Sequence, residues 1–255
     1  MTDIITEYSG SILRIELNRP AKRNAITSSM YVTLADIFND AARDERVRVV
    51  LWHGAGDAFT AGNDIVDFQD NPPHGSDSPQ SRLTTALIDF AKPLVAAVRG
   101  IAVGGGTTML THCDFVVAGE STRFQVPFIN LALTPEFGSS FSIPARAGYL
   151  GAAQLYLLGE PFSASRAAEL ALVTQVVPDA DVLHIATAMA RKLAAKPAGA
   201  LKAHKRLLKQ ASLGLVNAAV AAEEQEFGER IVSAEAKEAF SAFIEKRPPN
   251  FHQAA

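Results

Sequence analysis

Strand-like apolar runs alternate with helical segments from the start of the chain to about Asp179. Residues 11–17 alternate apolar and polar side chains with a period of two, which is typical of a half-buried strand. Further strand-like runs span residues 47–52, 93–98 and 113–118. A helix is predicted from about Ser28 to Ala42, with Thr27 or Ser28 as its N-cap. Strands separated by helices indicate an α/β layered fold.

Beyond Asp179 the pattern contains helices alone, predicted over residues 182–195, 198–211, 215–232 and 234–246. The second of these carries the basic side chains Lys202, His204, Lys205, Arg206 and Lys209. Two interpretations of them are open: a solvated face whose apolar side meets a neighbouring subunit, or part of an anion site. The sequence therefore predicts a mixed core over residues 1–195 and a helical region over residues 196–255.

Composition excludes several classes of partner. Of the 255 residues, 48% are hydrophobic and 20% are charged, as expected for one large globular domain. The net charge of −3 gives no overall attraction to nucleic acid or to an anionic membrane. A single cysteine, Cys113, excludes an internal disulfide, and the six histidines show no metal-ligand spacing. No export signal or membrane span is visible, so we expect a cytoplasmic protein without a bound metal.

Two loops, residues 58–65 and 100–106, are the strongest indication of chemistry. Each follows a strand-like run and opens a helix, and the second contains the run Gly104-Gly105-Gly106. The glycines match neither the dinucleotide pattern G-x-G-x-x-G nor the P-loop pattern. Backbone N–H groups at a glycine-rich helix start are open to a ligand, and two such loops aimed at one point would form an oxyanion hole. The alternative is that these glycines serve only close helix packing.

Between these loops lies a turn-rich segment, residues 72–79, which contains three prolines. Its composition predicts an exposed, mobile loop. If the two glycine loops share a site, the same segment would be placed to cover it.

Several segments occur in a characteristic order: Asn18-Arg19-Pro20, Ala58 to Ile65, Lys92 to Gly100 with the glycine run, Cys113-Asp114, and Ala242 to Pro248. Together they resemble the crotonase superfamily, also called the enoyl-CoA hydratase/isomerase family. The resemblance implies an α/β spiral of ββα units, with the acyl-CoA site in residues 1–195 and a C-terminal helical trimerisation region. It also implies an acyl-CoA thioester substrate, no separate cofactor because coenzyme A is part of the substrate, and a homotrimer or dimer of trimers.

The same resemblance assigns the oxyanion hole to the backbone N–H groups of Asn63 and Gly105. These donors would hold the thioester oxygen of the acyl-CoA. The implied substrate and coenzyme A contacts are Lys22, Arg23, Ala25, Ala61, Gly62, Asn63, Asp64, Ile65, Gly104, Gly105, Phe128 and Lys246.

Some of these contacts have implied positions along the coenzyme. Lys22, Arg23 and Ala25 would lie near the nucleotide, and Lys246 near a phosphate across a subunit boundary. For each basic side chain, simple solvation is an equal alternative. Asp64 is interpreted first as the N-cap of the helix that follows it.

Two positions bear on the reaction. In the hydratases of this family, two glutamates position and activate a water molecule, and the matching positions here hold Thr108 and Phe128. Thr108 cannot act as a base near neutral pH, and Phe128 has no proton to transfer. Hydration by that mechanism is therefore disfavoured, although the family resemblance keeps a hydratase among the alternatives.

A carboxylate occurs instead at Glu136, in the segment Leu133 to Ser140. Its Pro-Glu pair and the loop 61–65 both resemble Δ3,Δ2-enoyl-CoA isomerases of the peroxisomal type. One carboxylate can remove the C2 proton of a 3-enoyl thioester and deliver a proton to C4, so Glu136 is the implied shuttle. Apolar neighbours such as Phe128 and Phe137 would raise its pKa.

Three other interpretations stay open. Glu136 precedes a predicted helix over residues 139–147, where an acid is favoured by the helix dipole alone. Relatives that act on aromatic acyl-CoA thioesters place a nucleophilic aspartate here, which allows dehalogenase-like or thioesterase-like covalent chemistry. A chain that kept the oxyanion hole and lost catalysis would be an acyl-CoA binder.

Overall fold

The computed structural model describes residues 2–73, 75 and 77–254. The strands within these ranges are β1 (Ile4–Ser9), β2 (Ile12–Leu17), β3 (Val49–Gly54), β4 (Leu94–Val98), β5 (Ile101–Val103), β6 (Phe115–Gly119), β7 (Arg123–Gln125), β8 (Phe162–Ser163) and β9 (Gln175–Val177). The helices are α1 (Ser28–Arg43), α2 (Ile65–Asp70), α3 (Pro79–Asp89), α4 (Gly105–Thr108), α5 (Ser139–Leu158), α6 (Ala164–Glu169), α7 (Val182–Ala194), α8 (Ala198–Ile231), α9 (Ala234–Glu245) and α10 (Phe251–Ala254). None of these helices is both long enough and apolar enough to cross a bilayer.

The larger sheet has the strand order β1-β2-β3-β4-β6-β9. β1 pairs antiparallel with β2, from Ile4 opposite Leu17 to Ser9 opposite Ile12, and the later pairs are parallel. The side chains of β4 are all buried, as are those of β3 up to its last residue. Burial on both faces is typical of parallel strands that helices cover on two sides.

A smaller sheet contains β5, β7 and β8. β4 and β5 are consecutive in the chain but belong to different sheets, and the same is true of β6 and β7. The first change of sheet occurs at Gly100, where φ is +67° and the Asp57 carbonyl oxygen occupies the place of a side chain. These strand pairs, each followed by a helical turn, are the ββα units that the resemblance implied, and the predicted fold is confirmed.

Helices cover the larger sheet on both faces. On one face, Phe38 of α1 meets Trp52 and Phe90 edge to face, with ring centroids 5.5 and 5.3 Å apart. On the other face, α7 buries Val182 and Ala186 against the strands. The sheet thus separates two apolar layers.

Most predicted elements of the core are confirmed. The four predicted strands and the first helix occur with ends shifted by no more than two residues. Thr27 is the N-cap of α1, and its side chain accepts a hydrogen bond from the Met30 N–H at 3.3 Å. Strand β1 was not predicted, because most of its side chains are exposed at the sheet edge and give no apolar pattern.

The C-terminal helices differ from the prediction. The two helices predicted at 198–211 and 215–232 are one helix of 34 residues, α8, which continues through the exposed Gly214 and ends at Ile231. A glycine costs a helix interior only about 1 kcal/mol, which packing elsewhere along α8 outweighs. The predicted helix 139–147 also continues, as α5, to Leu158, with an interruption at Gly148, where φ is +71°. The division near residue 195 stays a prediction.

Two basic side chains of α8 do not lie on a solvated face, so that interpretation is wrong for them. Lys205 is 6% exposed, and its Nζ donates to Asp114 Oδ2 at 2.6 Å and to the Lys92 carbonyl at 2.8 Å. Lys209 donates to the Ile88 carbonyl near the end of α3. Burial lowers the pKa of Lys209 to about 8. These contacts fasten α8 to the body of the protein.

Candidate active site

The two glycine-containing loops lie side by side. Thr60 pairs with Ala102 in an isolated β-bridge, and the Val103 N–H donates to the Thr60 carbonyl at 3.1 Å. A Cβ atom at Gly62 would lie 2.6 Å from the Val103 carbonyl oxygen, and φ at Gly62 is +85°. Only glycine suits such a position. The loops expected to share a site are therefore in direct contact.

Asn63 and Gly105 each present a backbone N–H at this junction. In the described part of the chain, neither N–H donates to a protein acceptor. Gly105 is the first residue of α4, and Gly104 before it has φ +56° and ψ −124°, a conformation that glycine adopts without strain. Both residues thus offer the kind of open donor that an oxyanion hole uses. Their role in catalysis stays a prediction.

Tyr31 of α1 lies against both loops and is fully buried. Its hydroxyl donates to Asn63 Oδ1 at 2.6 Å. A Cβ atom at Gly105 would lie 3.2 Å from the Tyr31 hydroxyl oxygen. Burial, with the charge of Glu136 as a smaller cause, raises the pKa of Tyr31, so the phenol stays protonated and donates. Sequence reasoning missed this residue, because it lies 32 positions from Asn63 and forms no local motif.

A cavity of about 620 Å³ opens beside the loops. The predicted contacts that line it are Lys22, Ala25, Ala61, Gly62, Asn63, Asp64, Ile65, Gly104, Gly105 and Phe128. Arg23 and Lys246 do not line it, whereas Arg247 does. The volume falls within the range of small-molecule and cofactor sites. Which of these residues bind coenzyme A stays a prediction.

Helices α8 and α9 of the same chain form one wall of this cavity. Phe227 of α8 and Phe240 of α9 both contact Phe68 of α2, with ring centroids 6.0 and 5.8 Å apart. Arg247, just after α9, donates to the two carboxylate oxygens of Glu238 at 2.6 and 2.9 Å. The position of Lys246 near a phosphate across a subunit boundary stays a prediction.

Asp64 is the one carboxylate among the described residues that line the large cavity. It accepts from the Asp67 N–H at 3.5 Å as the N-cap of α2, and Arg19 Nη2 lies 3.0 Å from its Oδ2. Both carboxylate oxygens of Asp64 are thus engaged, by the helix cap and by the ion pair. The described residues that line this cavity therefore supply no unpaired carboxylate.

The two positions that carry glutamate in hydratases supply no titratable group. Thr108 is fully buried, and its hydroxyl lies 3.4 Å from the carbonyl oxygens of Gly104 and Gly105. Phe128 contributes an apolar surface to the large cavity.

Glu136 lies directly against the glycine loop. A Cβ atom at Gly105 would be 2.7 Å from Glu136 Oε1. That oxygen is buried and has no hydrogen-bond partner among the described residues. Burial, and secondarily the charge of Glu223, raises the pKa of Glu136 to about 8. A carboxyl group with such a pKa can both accept and release a proton near neutral pH.

Glu136 is presented by a strained turn. Phe137 and Gly138, which follow it, have φ values of +63° and +67°. A non-glycine residue in this region costs about 1–3 kcal/mol and persists only where its surroundings enforce it. His112 Nε2 lies 2.8 Å from the Phe137 carbonyl oxygen. Burial lowers the pKa of His112 to about 3, so the ring is neutral and its Nε2–H donates to this carbonyl.

The start of α5 is capped by Glu223 rather than by Glu136. The Glu223 carboxylate accepts from the Gly138 N–H at 2.6 Å and from the Ser140 N–H at 2.7 Å. The acid that the helix dipole favours at this position is therefore supplied by α8. Sequence reasoning missed Glu223, which lies 85 positions from Gly138.

A smaller cavity of about 50 Å³ borders Glu136. Phe227 lines both this cavity and the large one. Part of the segment 72–79 also reaches it, although His74 and Ser76 lie outside the described residues. Ser78 of that segment is buried and caps α3, so the prediction of an exposed segment is wrong at this residue.

This chain is similar to proteins of one family over nearly its whole length. The family model described as "Enoyl-CoA hydratase/isomerase" matches residues 7–254. The 2,3-dehydroadipyl-CoA hydratase of Escherichia coli (strain K12) is 33% identical, over 98% of this chain and 99% of its own. Enoyl-CoA delta isomerase 2 of Homo sapiens is 31% identical, over 96% of this chain and 64% of its own. The solved structure of Pseudomonas aeruginosa OdaA is 42% identical, with a TM-score of 0.93, over 96% of this chain and 99% of its own. The chain therefore belongs to the enoyl-CoA hydratase/isomerase family, the crotonase superfamily.

Proposed function

We propose that this protein isomerises 3-enoyl-CoA thioesters to trans-2-enoyl-CoA thioesters, with Glu136 as the proton shuttle. The observation that carries the proposal is the buried, unpartnered Oε1 of Glu136 against Gly105, in the described part of the chain. Membership of the family supplies the substrate class, an acyl-CoA thioester.

A single carboxylate can perform both proton transfers of this reaction. Ionised Glu136 removes a proton from C2, and the electron pair forms a dienolate whose charge lies on the thioester oxygen. The N–H groups of Asn63 and Gly105 would stabilise that oxygen. Protonated Glu136 then delivers a proton to C4, and the double bond moves from C3–C4 to C2–C3. Because no water is consumed, the product is an isomer of the substrate.

Hydration of a 2-enoyl-CoA is the second candidate. It is supported by the relative named 2,3-dehydroadipyl-CoA hydratase. Thr108 and Phe128 count against it, because neither can activate a water molecule. Covalent chemistry at Glu136 is disfavoured for a different reason: family members with that chemistry carry an aspartate at this position, and glutamate is longer.

Conversion of trans-3-hexenoyl-CoA to the conjugated 2-enoyl thioester, followed by absorbance, tests the proposal. We expect steady turnover of this substrate, while crotonyl-CoA keeps its absorbance under the same conditions. Rapid loss of crotonyl-CoA absorbance without isomerisation would identify a hydratase and overturn the proposal. Binding of both thioesters without turnover would identify a binding protein and would overturn it equally.

The aromatic wall suggests how the acyl chain is selected. Phe227 lies between the large cavity and the small cavity beside Glu136, so Phe227→Ala should open space for a longer chain. We expect the ratio of kcat/KM for trans-3-decenoyl-CoA to that for trans-3-hexenoyl-CoA to rise about tenfold. Phe243→Ala is the matched control, because Phe243 also lines the large cavity but is 58% exposed. An equal change of the ratio in both variants would contradict a specific role for Phe227.

Trimeric assembly and a cytoplasmic location stay predictions. Exposed apolar side chains on α5 and α8 support self-association, since Leu150 is 83% and Leu208 is 82% exposed in the single chain. Large exposed apolar surfaces of this kind are typical of sites that another protein covers.

A further inference from the structure

Glu223 is a buried carboxylate that the reaction proposed above does not use. It is 6% exposed and projects from the second half of α8. Each of its oxygens accepts one backbone hydrogen bond, Oε2 from Gly138 and Oε1 from Ser140. Because burying a carboxylate is costly, a residue in this position needs a compensating role.

Gly138 belongs to the turn that presents Glu136, and Ser140 lies in the first turn of α5, directly after it. On one side of the turn, His112 holds the Phe137 carbonyl at 2.8 Å. On the other side, Glu223 accepts from the N–H groups of Gly138 and Ser140. Gly138 allows α8 to approach this closely, since a Cβ atom there would lie 3.0 Å from Val216 Cγ1. The left-handed backbone after Glu136 is thus clamped between α8 and the His112 ring.

We propose that Glu223 is a positioning residue for Glu136, one that fixes the turn by its two hydrogen bonds. After burial, the charge of Glu223 is the second cause that raises the pKa of Glu136. This inference rests on the isomerase function proposed above. A turn that relaxed would move the Glu136 carboxylate away from Gly105, and an error of about 1 Å in such a group can cost about 10²-fold in rate.

Other titratable groups lie around Glu136, but Glu223 is the charged group that raises its pKa in addition to burial. They are Tyr31 from α1, His112 before β6, Tyr156 from α5, and Glu224 beside Glu223 on α8. Burial raises the pKa of both phenols and lowers that of His112 to about 3, so all three are neutral near pH 7. Burial raises the pKa of Glu223 itself, while its bonds from Ser140 and Gly138 oppose that shift and favour the ionised form.

Two variants separate the hydrogen bonds of Glu223 from its charge. Glu223→Gln removes the charge and one acceptor oxygen, whereas Glu223→Asp keeps the charge but is too short to reach both N–H groups. Each variant is assayed for kcat and KM with trans-3-hexenoyl-CoA across pH. The ionisation of Glu136 is followed directly by ¹³C NMR of protein labelled at the glutamate side-chain carboxyl carbon, with Glu136→Gln used to assign the resonance.

In wild type, kcat/KM should rise with pH through the Glu136 pKa of about 8, because the ionised carboxylate is the base. In Glu223→Gln we expect kcat to fall about tenfold with KM nearly unchanged. Both the pH profile of kcat/KM and the midpoint of the Glu136 titration followed by NMR should move to lower pH. In Glu223→Asp we expect a similar loss of kcat, with the midpoint remaining near that of wild type. Should Glu223→Gln fail to fold, Glu223→Asp still tests the positioning role.

Ser163→Ala is the control for the loss of a helix cap as such. Ser163 caps α6 by accepting from the Arg166 N–H at 3.1 Å, and its removal should leave kcat, KM and the Glu136 midpoint unchanged. Wild-type kcat in both Glu223 variants, or an unchanged Glu136 midpoint in Glu223→Gln, would overturn the proposal. The NMR titration needs no turnover, so failure of the isomerase function and failure of this inference are distinguishable.

Discussion

Glu136→Gln is expected to lower kcat for trans-3-hexenoyl-CoA by about 10³-fold. Glutamine has nearly the same size and still fits against Gly105, but it cannot accept the C2 proton. Steady-state assays of wild type and variant, with the 2-enoyl product followed by absorbance, measure the effect. Retention of the wild-type rate would remove Glu136 from the mechanism.

The same substitution should not damage the fold. The pKa of Glu136 in the folded protein, about 8, lies above its ordinary value of 4.5, so the folded state loses stability as pH rises from about 4.5 to about 8, and the loss is complete above pH 8. Glutamine lacks this ionisation, and the stability of Glu136→Gln relative to wild type should therefore increase across the same range. Thermal unfolding at pH 5 and 9 checks the sign. Glu226→Gln, at an exposed position of α8, is the control and should keep both the activity and the pH dependence of stability.

Gly105→Ala should lower kcat/KM by about 10²-fold, because a displacement of about 1 Å in a catalytic group can cost that much in rate. The new methyl group would lie 2.7 Å from Glu136 Oε1 and 3.2 Å from the Tyr31 hydroxyl. Either the carboxylate or the loop must move, and both carry the proposed chemistry. Unlike proline, alanine keeps the backbone N–H, so the experiment tests the close packing of the loop rather than the loss of one donor.

Gly214→Ala is the matched control for this substitution. No atom lies within 4 Å of a Cβ at Gly214, which is exposed within α8. Alanine there should leave the rate unchanged and stabilise the helix by up to about 1 kcal/mol. If Gly105→Ala kept wild-type kcat/KM with an unchanged melting temperature, the contact between the glycine loop and Glu136 would have no catalytic importance.

The sequence was informative wherever the signal is local. The apolar runs located four of the six strands of the larger sheet, and the glycine run together with loop 58–65 identified two segments that do meet. Glu136 was found because it follows Pro135 within a motif of neighbouring residues. In each case, the residues that form the sequence pattern are close together in the chain and also form the structural feature that the pattern predicts.

What the sequence did not indicate depends on tertiary contacts. Tyr31, Glu223 and Phe227 reach the site from helices whose local sequence is ordinary. The position of Glu223 opposite Gly138 follows from the packing of α8, which the sequence pattern had divided into two separate helices near Gly214. Burial of Lys205 was hidden for the same reason, since a lysine among other basic residues suggests a solvated face until its partner Asp114 is known.

Because α8 is one continuous helix, the spacing of two residues along it fixes the relative directions in which their side chains leave the helix. Glu223 follows Lys205 by 18 positions, which is five turns at about 3.6 residues per turn, so the two side chains leave the same side of the helix. Phe227 lies one turn further on that side. With Lys205 anchored to Asp114, one residue inserted between Lys205 and Glu223 would rotate the following side chains by about 100°. Substitutions on the outer side of this helix would therefore leave the relative directions of Lys205 and Glu223 unchanged, whereas an insertion or a deletion between them would alter those directions.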